Sequence, residues 1–313
     1  MRTKTISKVI SKKIQDWINS IEDIGLRNSI LENVVVTGGC ITSMLLKQSP
    51  NDYDIYFTDA KLCKRVAEYY VKKMTTDNIP VHLTDAKGSF ENTPEFNPKL
   101  ELHVHTYIGS SGYLSEKRDV LDADEEADEL LQDEIEMTPA EKVNTDKGEK
   151  SRYRPVFITS NAITLSNKIQ LITRFCGDPK KIHENFDFSH TKMYWTKADG
   201  VVTNVDALEC VLAKRLIYSG SKFPLCSFIR TRKFIQRGWT IDAGQYVKMG
   251  IQLSGMDLLD PKVLVQQLVG VDTTYFSWLL DELTKPEKLV DGKVDMQYAI
   301  SLINFMFDCE KGG

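Results

Sequence analysis

The sequence predicts an α+β fold over residues 1–204 followed by a mostly α-helical domain over 205–313. Three observations carry this. A strand, glycine pair, short helix and second strand follow one another between Val34 and Phe57. Strand signals resume at 155–158, 162–165 and 169–172. After Gly200 alternating runs become scarce and apolar residues recur at helical spacing instead.

Taken in order, residues 6–32 place Ile6, Val9, Ile10, Ile14, Trp17, Ile18 and Ile21 three or four apart, the spacing of one or two amphipathic helices. The basic N-terminus MRTKTISKVISKKIQDWINSI is interrupted by charges and lacks an apolar core and a small-residue cleavage site, so it reads as a folded helix rather than a secretory signal. Val34-Val35-Val36 reads as a buried strand ended by Thr37-Gly38-Gly39. A short helix over Ile41–Lys47, a turn at Ser49-Pro50-Asn51 and a strand over Asp52–Phe57 come next. Residues 60–75 return to helical spacing, and Leu100–Val104 alternates like a strand.

Between Asp119 and Lys150 stand 13 acids against 3 lysines, a net −10. With few core-forming residues, this stretch reads as a mobile acidic insertion. The chain as a whole carries −4, so the remainder carries +6, a balance compatible with a polyanionic partner or with an ordinary solvated surface. Six cysteines (Cys40, Cys63, Cys176, Cys210, Cys226, Cys309) include no CxxC pair, which argues against a zinc ribbon or a disulfide scaffold and for reduced thiols in a cytoplasmic protein. No run of 18 or more apolar residues exists, so no membrane span is expected.

Chemistry concentrates around residues 34–57. Glycines at 38 and 39 let the backbone turn sharply and approach a triphosphate without a Cβ in the way. The following helix start offers N–H groups to phosphate oxygens. On a strand, residues two apart share a face, so Asp52 and Asp54 can converge while Tyr53 points away. Hard divalent ions such as Mg²⁺ or Mn²⁺ prefer carboxylate and phosphate oxygens.

The segment VTGGCITSMLLKQSPNDYDIYFTD, with Gly-Gly, a dozen residues and Asp-x-Asp, resembles the nucleotidyltransferase superfamily. It is similar in particular to the head of tRNA CCA-adding enzymes and bacterial poly(A) polymerases, and the architecture looks like nucleotidyltransferases of tailed-phage genomes. The resemblance implies a polymerase beta-like mixed sheet with helices, and transfer of a nucleoside monophosphate from a nucleoside triphosphate to a hydroxyl, most readily an RNA 3′ end such as that of tRNA. It also implies that Asp52 and Asp54 hold Mg²⁺ or Mn²⁺, that Gly38, Gly39 and Ser43 cradle phosphates, and that the protein works in the cytoplasm (of the host, if phage-encoded). Ile169–Phe175 looks like the strand that bears the family's third carboxylate, where this chain has Gln170. Glu101 or Asp187 are the acids able to substitute. Glu184–Phe188 is similar to the family's Arg-Asp-Phe stretch, which gives Asp187 a nucleotide-binding role. SFIRTRKFIQRGWTID resembles the neck helix; its basic cluster Arg230, Arg232, Lys233 and Arg237, beside Phe234 and Trp239, is weighed equally as a guide for a polynucleotide (Arg230, Lys233 and Arg237, with an aromatic for stacking) and as solvated or paired side chains at a domain interface.

The chain departs from the family at Thr42 and Ser43, where CCA-adding enzymes carry Arg and Asp, and it shows no Glu-Asp-x-x-Arg signature for choosing C or A. An ordinary CCA-adding enzyme is therefore not expected. Two alternatives stand beside RNA: nucleotidylylation of a protein side chain or small molecule, and an inactive nucleotide-binding or interaction module, which Gln170 favours. His103 and His105 share a strand face with Glu101 and are weighed as metal ligands or as bystanders. His183 and His190 are weighed as pocket residues or as packing. The leucines at 258, 259, 264, 268, 279, 280 and 283 read as core of the helical domain.

Overall fold

The computed structural model describes residues 1–75, 79–106, 113–114, 153–159, 161–268, 285, 289–290 and 292–308. The acidic insertion at 119–150 and the leucines at 279, 280 and 283 lie outside the described residues. The described residues fall into two compact units, one holding 1–106, 113–114, 153–184 and 191–204, the other 185–190 and 205–308. The stretch 185–190, which carries Asp187, groups with the second unit although it precedes the boundary read from the sequence.

In the first unit, α1 (Thr3–Asn19) turns Ile6, Ile10, Ile14, Trp17 and Ile18 inward, all at most 2% exposed. Helix α2 (Ile24–Asn33) is started by Asp23, whose side chain accepts the Leu26 N–H at 2.9 Å and so satisfies a donor that the helix leaves orphaned. The chain then enters β1 (Val34–Thr37), buried at all four residues, bends at Gly38, and forms α3 (Gly39–Leu45). Strand β2 (Tyr53–Phe57) is followed by α4 (Ala60–Met74), capped by the Asp59 side chain on the Lys61 and Leu62 N–H groups. Helices α1 and α4 are tied in the core by the Trp17 indole N–H, which donates to the Tyr70 hydroxyl at 2.8 Å.

Strands β3 (Val81–Asp85) and β4 (Leu102–Thr106) pair antiparallel as a separate two-stranded sheet. The main sheet is completed by β5 (Tyr113–Leu114), β6 (Pro155–Ile158), β7 (Ala162–Leu165), β8 (Ile169–Cys176), β9 (Tyr194–Thr196) and β10 (Gly200–Val202). Its order is β10-β9-β1-β2-β8-β7-β6-β5. Only β2 and β8 run parallel in it, so the sheet is mixed, as the sequence led one to expect. A short helix, α5 (Pro179–His183), comes directly after β8; Asp178 caps it and Pro179 supplies the fixed φ of its first turn. Several boundaries differ from the sequence reading, among them the strand read at Leu100–Val104, which runs over Leu102–Thr106, and the one read at 169–172, which continues to Cys176. Asp52 precedes β2 rather than lying on it, and the short helix begins at Gly39.

The second unit is mostly helical: α6 (Val205–Ala213), α7 (Pro224–Gln236), α8 (Ala243–Leu253), α9 (Pro261–Leu268) and α10 (Met296–Asp308). Two-residue strands join them in the parallel pair Arg215–Leu216 with Thr240–Ile241 and the antiparallel pair Leu289–Val290 with Lys293–Val294. Phe188, Leu216, Tyr218, Trp239, Met249, Leu264 and Leu268 form its core, while Leu258 and Leu259 are half-buried. No helix among the described residues is long and apolar enough to cross a membrane.

Tyr70→Phe leaves the buried Trp17 N–H without its acceptor, which costs about 1–3 kcal/mol. A lowered urea midpoint by tryptophan fluorescence is expected; an unchanged midpoint would show that the tie contributes nothing.

Candidate functional site

The glycine bend and the acidic strand meet. Thr37, the last residue of β1, lies opposite Asp54 of β2, and Asp54 in turn lies opposite Gln170 of β8. Gly38 adopts φ +90°, a backbone that L side chains rarely take. A Cβ built there would stand 2.6 Å from Asp54 Oδ2, inside contact distance, so a side chain at 38 and this carboxylate position exclude each other. Gly39 differs: a Cβ there meets nothing within 4 Å. Asp54 is half-buried and Asp52 is exposed. Burial foremost, then the charges of Asp54 and Asp52, push the Cys40 thiol well above its ordinary pKa. Both carboxylates therefore act on the same first turn of α3. Ser43, one turn further, is half-buried, and its carbonyl accepts the Gln48 N–H at 2.8 Å.

Among the described residues no third acid joins this pair, and no group of three His, Cys, Asp or Glu side chains is placed to hold a metal ion. Gln170 stands beside Asp54 through the parallel β2–β8 pairing. Glu101 precedes β4 in the separate two-stranded sheet, its carboxylate 4.0 Å from the Lys181 ammonium. His103 and His105 likewise form no metal group with Glu101. His103 Nδ1 lies 2.7 Å from the Arg174 carbonyl, which can only accept, so this nitrogen carries the proton. Burial, with His103 and Arg174 nearby, lowers the pKa of His105.

Beside the bend, the Thr37 hydroxyl lies 2.8 Å from His183 Nε2 and donates to the Met193 carbonyl at 2.7 Å. Burial, assisted by the Lys192 ammonium, holds His183 down to about 4, so the imidazole is neutral at physiological pH.

In the second unit Asp187 is buried and forms an ion pair with the Arg230 guanidinium of α7. Arg230 is therefore engaged by Asp187. Lys233 and Arg237 lie exposed at the end of the same helix. Gly238, at φ +79°, stops that helix, and the Trp239 N–H returns to the Phe234 carbonyl at 3.0 Å. This turns Trp239 inward, 5% exposed, with its ring 4.5 Å from His190 and 5.9 Å from Phe234. The expectation that Trp239 is available to stack on a base is thereby corrected: its faces are used in the core.

The chain thus pairs an α+β unit, in which a mixed sheet sets a glycine bend against an acidic strand, with a second, mostly helical unit. The chain matches the family described as Gabija anti-defense 2 family protein over residues 8–214, more than half its length, and it belongs to that family. Among solved structures, it is similar to the Thermotoga maritima CCA-adding enzyme complexed with tRNA-CCA (TM-score 0.37, 12% identity, covering 85% of this chain and 52% of that one). It is also similar to a CCA-adding enzyme in complex with CTP (0.36, 11%, 85% and 51%) and to a tRNA-processing enzyme with CTP (0.34, 12%, 79% and 52%). The chain spans about half the length of each. No curated protein matches it.

Gly38→Ala should cost about 1–3 kcal/mol from the left-handed backbone alone and displace the Asp54 carboxylate, whereas Gly39→Ala should be near neutral. Thermal denaturation of the two variants checks this, and equal losses would disprove the packing argument.

His190 supplies a pH prediction. Burial holds it down to about 4, against the field of Asp187 and with that of Arg230. Between the ordinary value of 6.5 and pH 4 the unfolded chain binds a proton that the folded chain refuses. This contribution is constant above 6.5 and shrinks as pH falls through that window, by up to a few kcal/mol. His190→Phe should flatten that part of the stability profile, and an unaltered slope would refute the assignment.

Proposed function

We propose that this protein is a metal-dependent nucleotidyltransferase that moves a nucleoside monophosphate from a nucleoside triphosphate to a hydroxyl acceptor, releasing pyrophosphate. We further propose that it uses this activity against the Gabija defence for which its family is named. The observation that carries the reading is the contact between Gly38 and Asp54, with Asp52 acting on the same turn of α3. A backbone without a side chain beside two carboxylates suits a triphosphate with its cation, because the cation offsets the repulsion between the carboxylates and the phosphate oxygens.

The donor set fits Mg²⁺ or Mn²⁺. Two carboxylates are hard oxygen ligands, and Mg²⁺ is commonly held by one or two of them together with substrate phosphates. Asp52 and Asp54 would hold it, and when bound it supplies Lewis-acid neutralisation of charge on the triphosphate. Gly38, Gly39 and Ser43 would line the phosphates. Asp187 would contribute to nucleotide binding through its pairing with Arg230, and the exposed Lys233 and Arg237 would guide an RNA 3′ end. Gln170 beside Asp54 favours a second reading, in which the same site binds a nucleoside triphosphate without transferring it, because a neutral amide is a poorer metal ligand than a carboxylate.

Incubation with α-labelled nucleoside triphosphates, Mg²⁺ and either RNA or host lysate tests both readings. Label is expected in RNA, and an Asp52→Asn, Asp54→Asn double variant is expected to lose at least a hundredfold in rate. Label in protein would change the acceptor. Turnover that survives the double substitution would sink the proposal, and ATP binding without turnover would select the second reading.

A further inference from the structure

We propose that His183 is a positioning residue for the glycine bend, fixing the backbone at Thr37 and Gly38 by donating its Nε2 proton to the Thr37 hydroxyl. Its effect on turnover rests on the nucleotidyl-transfer reading; the positioning itself does not.

Proton counting makes the assignment. Thr37 is fully buried, with Asp54 on one neighbouring strand and Tyr194 on the other. Its hydroxyl carries one proton. The Met193 carbonyl at 2.7 Å can only accept and takes it; the Thr191 carbonyl lies further away, at 3.4 Å. Toward His183 Nε2, at 2.8 Å, the hydroxyl oxygen is therefore the acceptor, and the imidazole is the Nε2–H tautomer. The other end of the residue is held as well, since the Cys40 thiol donates to the Thr37 carbonyl at 3.8 Å.

These ties bear directly on the next residue. Glycine has little steric preference of its own, so the φ of +90° at Gly38 must be imposed by neighbours. One neighbour is the Asp54 carboxylate against its Cα; the other is Thr37, anchored through its hydroxyl. His183 is well placed to anchor it. Asp178 and Pro179 fix the start of α5 directly after β8, the strand that carries Gln170. The imidazole thus links the continuation of β8 to the end of β1, and a loosened bend would release Asp54 from its position.

The full-length chain and its His183→Phe, His183→Gln and Thr37→Val variants test this by amide hydrogen exchange at Gly38–Cys40 and by Mg²⁺-dependent transfer of label from α-labelled nucleoside triphosphates to RNA. His183→Phe is expected to speed exchange at those amides at least tenfold and to lower kcat at least tenfold with KM within threefold. His183→Gln, whose amide N–H can reach the same oxygen, is expected to restore both to within threefold. Thr37→Val should reproduce the faster exchange, with no further increase when His183→Phe is added, and it carries the test if His183→Phe fails to fold. Unchanged exchange in both single variants, or a glutamine variant that behaves like the phenylalanine one, overturns the proposal. A wild-type chain that transfers no label overturns the nucleotidyl-transfer reading instead, and the exchange measurements then decide the positioning role.

Discussion

A carboxylate oxygen of Asp54 fills the space where any residue but glycine would put its β-carbon at position 38. That exclusion couples three features that would otherwise be independent: the left-handed backbone at Gly38, the end of β1, and the face of β2 that bears the acid. Close packing admits no halfway arrangement, because a side chain at 38 forces either the strand pairing or the carboxylate to move. The sheet is organised to hold this contact. Strands β1 and β2 are central, flanked by β9 on one side and by β8 on the other.

The surroundings show how polar groups are kept in a mostly apolar sheet. Thr37 is buried yet bonded at both hydroxyl and carbonyl. His183 stays neutral because burial disfavours its charged form. In the second unit the same logic pairs Asp187 with Arg230 and leaves His190 uncharged among Phe188, Phe234 and Trp239. Asp52, exposed at the strand's entrance, is reached by solvent.

Gln170 is the feature on which the two functional readings divide. The parallel register of β2 and β8 sets it directly opposite Asp54. A glutamine there can bond to a substrate oxygen or orient the neighbouring carboxylate, but it adds no negative charge with which to hold a second cation. The family to which the chain belongs is named for action against Gabija, and neither proposed reading is decided by that name.

Much of the backbone around the candidate site was legible before any fold was known. The valine run of β1 and the glycine pair are local signals, and each encodes a backbone state within a few residues; the strand placement of Asp52 was not legible, since it precedes β2. The helices at 3–19 and 60–74 were equally plain from the spacing of their isoleucines, valines and tyrosines. What the sequence could not decide were meetings between distant segments. His183 reaches Thr37 across 146 residues, and Asp187 reaches Arg230 across 43. Trp239, which a basic, aromatic stretch suggested as a stacking surface, is turned inward by the glycine stop before it. Period, turn chemistry and capping act over one or two turns of chain, so the sequence alone determined the elements and their faces. Register between strands and the docking of helix ends depend on the whole packed sheet, and only the tertiary structure decided which side chains share a hydrogen bond.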